Sequence, residues 1–220
     1  MLSGRRPSLA AFAAKVMSAI LFLAPCAFSE EPAEKKTALL PPCCRPALPA
    51  GKPTDTSLYL LDSKWTSDVN REIKLGVLRG RPQIVALFFT HCEYACPILV
   101  GELKAIESKL PPDVLGKVDF LLVSMDTKRD TPAELAAFRK KRQLARERWT
   151  LLRGGADDVR ELAALLGVNY AEDARGQFAH TNLITVLNAE GEIAFQHTGL
   201  KQDPALLIAA IEKAARGARR

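Results

Sequence analysis

The sequence predicts an α/β domain, a mixed central sheet between layers of helices, with a hairpin ahead of it. Three observations carry this. QIVALFF (83–89), VDFLLVS (118–124) and WTLLRG (149–154) are short apolar runs that read as strands buried on both faces. Amphipathic stretches follow them, and strands alternating with helices imply parallel pairing with crossovers on a covered sheet. A Gly-containing hairpin and one more helix close the chain, adding antiparallel strands at one side.

Taken in order, residues 1–29 read as an export signal. Arg5, Arg6 and Lys15 precede any acid, Val16 to Phe28 is apolar, and Ala27 and Ser29 are small residues for cleavage ahead of Glu30. An N-terminal anchor is one alternative, because Leu9 to Phe28 reaches the roughly 20 residues of a span if Lys15 is tolerated; lipid attachment at Cys26 is a third, against which Pro25 just before it counts. Residues 30–56, EEPAEKKTALLPPCCRPALPAGKPTDT, are rich in proline and charge without periodicity and are expected to form a disordered tether. The domain is expected over 57–216, with a basic tail at 217–220.

Two short strands, Ser57–Leu61 and Glu72–Leu75, joined by a polar turn, make the N-terminal hairpin. Leu99, Leu103, Ile106 and Leu110 recur at helical spacing, so Pro97–Leu110 is a helix. In TPAEL, Thr131 caps, Pro132 suits the first helical position and Glu134 completes a capping box. Asp157 and Asp158 open a helix carrying Val159, Leu162 and Leu166, closed by Gly167. The stretch 181–199 is a hairpin turning at NAEG, and Asp203 and Pro204 begin a helix with Leu206, Leu207, Ala210 and Ile211 on one face. The sum is a thioredoxin-like three-layer α/β/α arrangement.

Charge narrows the partners. The chain has 31 basic and 25 acidic residues. Three of the basic ones lie in the signal, and the small positive balance that remains gives no case for nucleic acid. Export also shapes the cysteine chemistry, since disulfides persist outside the cytosol and a free thiol pair there must be kept reduced or metal-bound.

FFTHCEYACP (88–97) places Cys92 just past the carboxyl end of a buried strand and Cys96 at the start of the next helix. Ligands in open α/β sheets gather at that edge. The helix N-terminus stabilises a thiolate, which is both a nucleophile and a soft metal ligand. Cys92 and Cys96 have Glu93, Tyr94 and Ala95 between them, a loop that can close into a disulfide or splay two sulfurs towards one ion such as Cu(I). A structural zinc site would need four protein ligands, and too few are well placed. Of the three histidines, His180 is the candidate imidazole, His91 is tied to the residue beside Cys92, and His197 reads as structural. Cys43 and Cys44 read as incidental tether residues, against the alternatives of copper scavenging or intermolecular bridges.

Several ordered stretches together carry a resemblance. FFTHCEYACP, VSMDTKRDTP, WTLLRG and the late His180 followed by a hydroxyl residue are similar to the Sco/SenC family, the thioredoxin-fold copper chaperones of cytochrome c oxidase assembly, over about Ser57 to Ile211. The resemblance implies that Cys92, Cys96 and His180 bind copper. It places Asp126 and Asp130 in an acidic stretch near the site, where loop and helix-start roles are the simpler reading. Thr127 departs from the proline common in the family. The implied function is delivery of copper to the binuclear copper A site of a cytochrome c oxidase. The implied partners are that oxidase subunit or another copper recipient, and a thiol reductant protein. A Cys92–Cys96 redox pair acting as a thiol–disulfide reductase is the alternative. The expected location is the periplasm or the outer face of the cytoplasmic membrane, with membrane association through the N-terminus left open.

Overall fold

The computed structural model describes residues 40–218 apart from residue 49, so the predicted export signal lies outside the described residues. Among the described residues no helix is long and apolar enough to cross a membrane.

The sheet builds outward from its two most apolar strands. β3 (Gln83–Phe88) and β4 (Asp119–Ser124) are buried at every position. They pair in parallel, with Gln83 opposite Asp119 and Phe88 opposite Ser124. Continuous apolar runs are what strands covered on both faces require. β5 (Trp149–Gly154) extends the parallel set beyond β4. On the other flank β8 (Leu183–Leu187) runs antiparallel to β3, with β9 (Ile193–Thr198) outside it. β1 (Trp65–Ser67) and β2 (Glu72–Ile73) complete the edge beside β5, giving the order β2-β1-β5-β4-β3-β8-β9.

α1 (Ala95–Lys109) and the one-turn α2 (Pro112–Leu115) link β3 to β4, and α3 (Pro132–Arg142) links β4 to β5. Both crossovers step the same way across the sheet, so their right-handedness puts α1 and α3 on one face. Lys104 Nζ on α1 donates to the Arg142 carbonyl of α3 at 2.9 Å. α4 (Ala156–Leu165) contributes Val159, Leu162 and Ala163 to the core. α5 (Ala205–Gly217) packs on β8 and β9. Trp149 stacks on Phe120 at the centre, with ring centroids 4.5 Å apart.

The Thr131 cap and Pro132 at the first turn hold, but the capping box is half formed, because the Thr131 N–H donates to the Arg129 carbonyl at 2.8 Å and not to Glu134. The Thr131 hydroxyl accepts from the Glu134 N–H at 3.3 Å, and Gln143, at φ 54°, ends the helix in the left-handed region.

Other expectations are corrected. Ser57–Leu61 is no strand: Leu58–Leu60 form a 3-10 turn whose Ser57 hydroxyl accepts from the Tyr59 N–H, and the hairpin uses Trp65–Ser67 instead. The Tyr59 ring lies where a side chain on Gly191 would sit, and Gly191 has φ +87°. Only glycine fits that turn. The second predicted strand stops at Ile73, and Leu75–Leu78 form another 3-10 turn. α1 starts two residues before Pro97, which puts Cys96 inside its first turn. Leu206 faces solvent while Leu207 and Ile211 are wholly buried.

From residue 40 on, the predicted disordered tether is packed on the domain. Pro42–Cys44 form a 3-10 turn, Cys43 sits in the core cluster, and Arg45 pairs with Asp119 at 3.4 Å. Lack of periodicity reads as disorder, but Pro41 and Pro42 pre-set the backbone of this turn. Burial pushes the Cys43 thiol up to about 12, so it stays neutral.

One buried ion pair pins the β1 edge to α3. Arg139 donates from one guanidinium nitrogen to Asp68 Oδ1 at 2.9 Å and to the Trp149 carbonyl at 2.8 Å, with both side chains almost wholly buried. Asp68→Ala would leave that guanidinium uncompensated, and urea unfolding should show a loss of about 3–5 kcal/mol. An unchanged unfolding midpoint would contradict this role.

Candidate metal centre

The site begins where β3 ends. The chain turns at once, with the Cys92 N–H donating to the Phe89 carbonyl at 3.3 Å. Cys92 is half-buried on this turn and Cys96 wholly buried on the first turn of α1. Both are free thiols. The Cys96 N–H donates to Cys92 Sγ at 3.2 Å.

This arrangement divides the two thiols. A hydrogen bond from the Cys96 thiol, joined by backbone N–H groups of Cys96, Tyr94 and Ala95, lowers Cys92 to about 5 against the opposing effect of burial. N–H groups at a helix start add to this stabilisation. Cys96 is driven far upward, first by donating to Cys92 and then by burial. At neutral pH the pair holds one thiolate, at the more open position, and one proton.

Asp130 braces the loop from beneath. It is buried, and it accepts from the Thr90 N–H at 3.0 Å and from the hydroxyls of Thr90 and Ser124. The carboxylate thus ties the end of β3 to the end of β4. Asp126 accepts from the N–H groups of Lys128 and Arg129 at 3.2 and 2.9 Å and from the Arg129 guanidinium. The loop and helix-start roles expected for both aspartates are the ones they occupy. His91 Nδ1 lies 2.9 Å from the Thr90 hydroxyl and 3.6 Å from Asp130.

His180 reaches this edge on an element the sequence did not reveal. β6 (Tyr170–Glu172) and β7 (Phe178–His180) form a separate two-stranded sheet. The signal was present, in a turn at DARG (173–176) between two short stretches, and Gly176 indeed has φ +72°. Phe178 packs on Phe89 with centroids 5.0 Å apart, and the His180 ring lies 6.5 Å from the same phenyl. Arg129 donates to the Gly176 carbonyl, Lys128 pairs with Glu172 at 2.9 Å, and Gln177 donates to the His91 carbonyl at 3.3 Å. These contacts seat the hairpin beside the cysteine loop. Phe89, Arg129 and Gln177 are the positioning residues that sequence reading missed.

The imidazole has a defined tautomer. His180 Nδ1 lies 3.1 Å from the Thr181 carbonyl, which only accepts, so Nδ1 carries the proton. In the neutral ring Nε2 then holds a lone pair, and this buried atom has no hydrogen-bond partner. A metal ligand needs such a nitrogen.

Cys92 and Cys96 are brought together, with His180 on the same edge, but the three ligand atoms do not all lie within 4.8 Å of one another. Among the described residues the set that does is His91, Asp126 and Asp130. The aspartates of that set spend their oxygens on the hydrogen bonds above. His197 lies on β9, two strands across the sheet from β3.

Comparison with known proteins gives one family. The SCO1/SenC family model matches residues 64–216. The SCO1 protein homolog of Bacillus subtilis (strain 168) is 21% identical over 137 residues, covering 61% of this chain and 70% of that protein. Arabidopsis thaliana ScoI with copper bound superposes with a TM-score of 0.60 at 19% identity, over 70% of this chain and 96% of that one. A SCO1/SenC family lipoprotein from Bacillus anthracis str. Ames gives 0.62 at 21% identity, over 72% and 96%. These neighbours share the α/β fold predicted from the sequence.

The divided thiols make a prediction. In the reduced, metal-free protein, alkylation by iodoacetamide should fall on Cys92, and its rate should rise with pH through a midpoint near 5 as the thiolate forms. Mass spectrometry of the modified peptides across pH checks it. A midpoint near the ordinary thiol value, about 8.5, would contradict it.

Proposed function

This chain belongs to the SCO1/SenC family, and on that premise we propose that it carries Cu(I) on the thiolates of Cys92 and Cys96 and the imidazole of His180. The observation that carries the reading is the unpartnered lone pair of His180 Nε2, buried at the edge where a thiolate is already prepared. Two soft sulfurs and one neutral imidazole suit Cu(I) and accommodate Cu(II). That Arabidopsis thaliana ScoI has been solved with copper bound supports the choice of ion.

Capture starts at Cys92, the more open and already ionised sulfur. Cys96 gives up its proton as it joins, so binding releases a proton and weakens as pH falls. His180 binds as the neutral ring, with Nδ1–H fixed on the Thr181 carbonyl. Because the three ligand atoms are not mutually within 4.8 Å, loading includes movement of His180 and the cysteine pair towards each other.

The recipient we infer is the binuclear copper A site of a cytochrome c oxidase, the role implied by family membership. The lipoprotein relative supports an exported or membrane-anchored location, and the export-like start of the sequence supports the same. Oxidation to a Cys92–Cys96 disulfide would release copper and link loading to redox state.

One observation favours a second reading. A half-buried thiolate backed by a wholly buried thiol is the arrangement of a thiol–disulfide reductase. Cys92 would attack a partner's disulfide, Cys96 would resolve the mixed disulfide, and the partner would leave as a dithiol. A thiol reductant protein would then regenerate the pair.

Copper titration of the reduced full chain separates the two. Cys92→Ser and Cys96→Ser should each remove one equivalent of Cu(I), and His180→Ala should weaken that equivalent about tenfold or more. A copper count unchanged by either cysteine substitution, with rapid disulfide exchange, would leave the reductase.

A further inference from the structure

A second dithiol lies outside the centre already described. Cys43 and Cys44 occupy a 3-10 turn with their sulfurs 3.7 Å apart. Cys43 is wholly buried in the core cluster, and the half-buried Cys44 packs against it. The turn is fixed: the Cys44 N–H donates to the Pro41 carbonyl at 2.8 Å and the Arg45 N–H to the Pro42 carbonyl at 3.2 Å. The Arg45 side chain reaches the Leu40 carbonyl, Asp119 and the Glu147 carbonyl. Such a rigid turn holds both sulfurs in one place, with the half-buried Cys44 as the way in.

Those anchors also locate the pair. Asp119 begins β4 and Glu147 precedes β5, so the turn is tied to the amino-terminal edge of the parallel strands. Cys92 and Cys96 lie at the carboxyl edge, beyond strands of six residues or roughly 20 Å. One ion cannot be shared between the two dithiols.

Two adjacent free thiols could bond each other or hold an ion. Neighbouring Cα atoms lie about 3.8 Å apart across a trans peptide. Disulfides prefer about 4.4–6.8 Å, so direct closure is strained. A soft ion placed between the sulfurs avoids that strain. We propose that Cys43 and Cys44 form a second, independent Cu(I) site, with the ion bound by the two sulfurs at the amino-terminal edge of the sheet. Cu(I) displaces both thiol protons on binding, and no electron is transferred.

The test uses the full chain with Cys26→Ser, reduced and without oxygen, with Cu(I) titrated against a colorimetric Cu(I) chelator. Cys92→Ser/Cys96→Ser should still bind one Cu(I) per chain, and X-ray absorption should show sulfur ligands. Adding Cys44→Ser to that variant should abolish binding while leaving the circular dichroism spectrum unchanged, since Cys44 is the less buried partner. No Cu(I) on the Cys92→Ser/Cys96→Ser variant would overturn the proposal, as would binding that survives Cys44→Ser. Loss of two hydrogens in air without copper uptake would overturn it in favour of a disulfide. Failure of the carboxyl-edge copper reading would look different: Cys44→Ser alone would bind none, while the Cys92→Ser/Cys96→Ser variant kept its equivalent.

Discussion

A single buried carboxylate sets the geometry at the carboxyl edge of this sheet. Burying Asp130 is tolerable only because its oxygens are used, by the Thr90 N–H and by the hydroxyls of Thr90 and Ser124. Those partners sit at the ends of neighbouring parallel strands. Satisfying the charge therefore fixes where β3 stops and how the chain leaves it, and Cys92 comes two residues after Thr90. The position has a cost for the thiols, because a nearby negative charge adds to the upward push on Cys96. At Cys92 the hydrogen bond from the Cys96 thiol, joined by the backbone N–H groups of the helix start, outweighs burial, and the result is one ready thiolate instead of two protonated thiols.

The His180 hairpin is held by a different kind of force. Lys128–Glu172 is an exposed pair of the sort worth about 0–1 kcal/mol. Gln177 to the His91 carbonyl is long at 3.3 Å, and the apolar contact is chiefly Phe178 on Phe89. A rigid dithiol loop beside a lightly docked imidazole suits an ion that must be both held and released. In the copper reading proposed above, the cysteines would define where the ion sits and the hairpin would set how readily it leaves.

Much of this was legible in the sequence, for identifiable reasons. β3, β4 and β5 are apolar without interruption and could be little else. Thr131, Pro132 and Glu134 mark a helix start whose capping bond is present in the structure. The failures came where local pattern and tertiary packing disagree. Ser57–Leu61 alternates like a strand, yet the Ser57 hydroxyl captures the Tyr59 N–H and the Tyr59 ring fits over Gly191. The proline-rich segment around Cys43 has no period to read, and only the sheet edge it covers explains its order. Leu206 obeyed the helical spacing but overshot the width of the face that β8 and β9 can bury. Residue chemistry, spacing and resemblance singled out Cys92, Cys96 and His180 as candidates. What spacing could not reveal was the separate hairpin that brings His180 in.

The most direct measurement is X-ray absorption at the copper edge on the Cys44→Ser protein loaded with one equivalent of Cu(I), beside the same protein carrying His180→Ala. Two sulfur neighbours and one imidazole nitrogen, with the nitrogen lost in His180→Ala, are expected if the hairpin supplies the third ligand. A sulfur-only environment, identical in both proteins, would contradict the central claim that His180 Nε2 is held unpartnered in order to bind the ion.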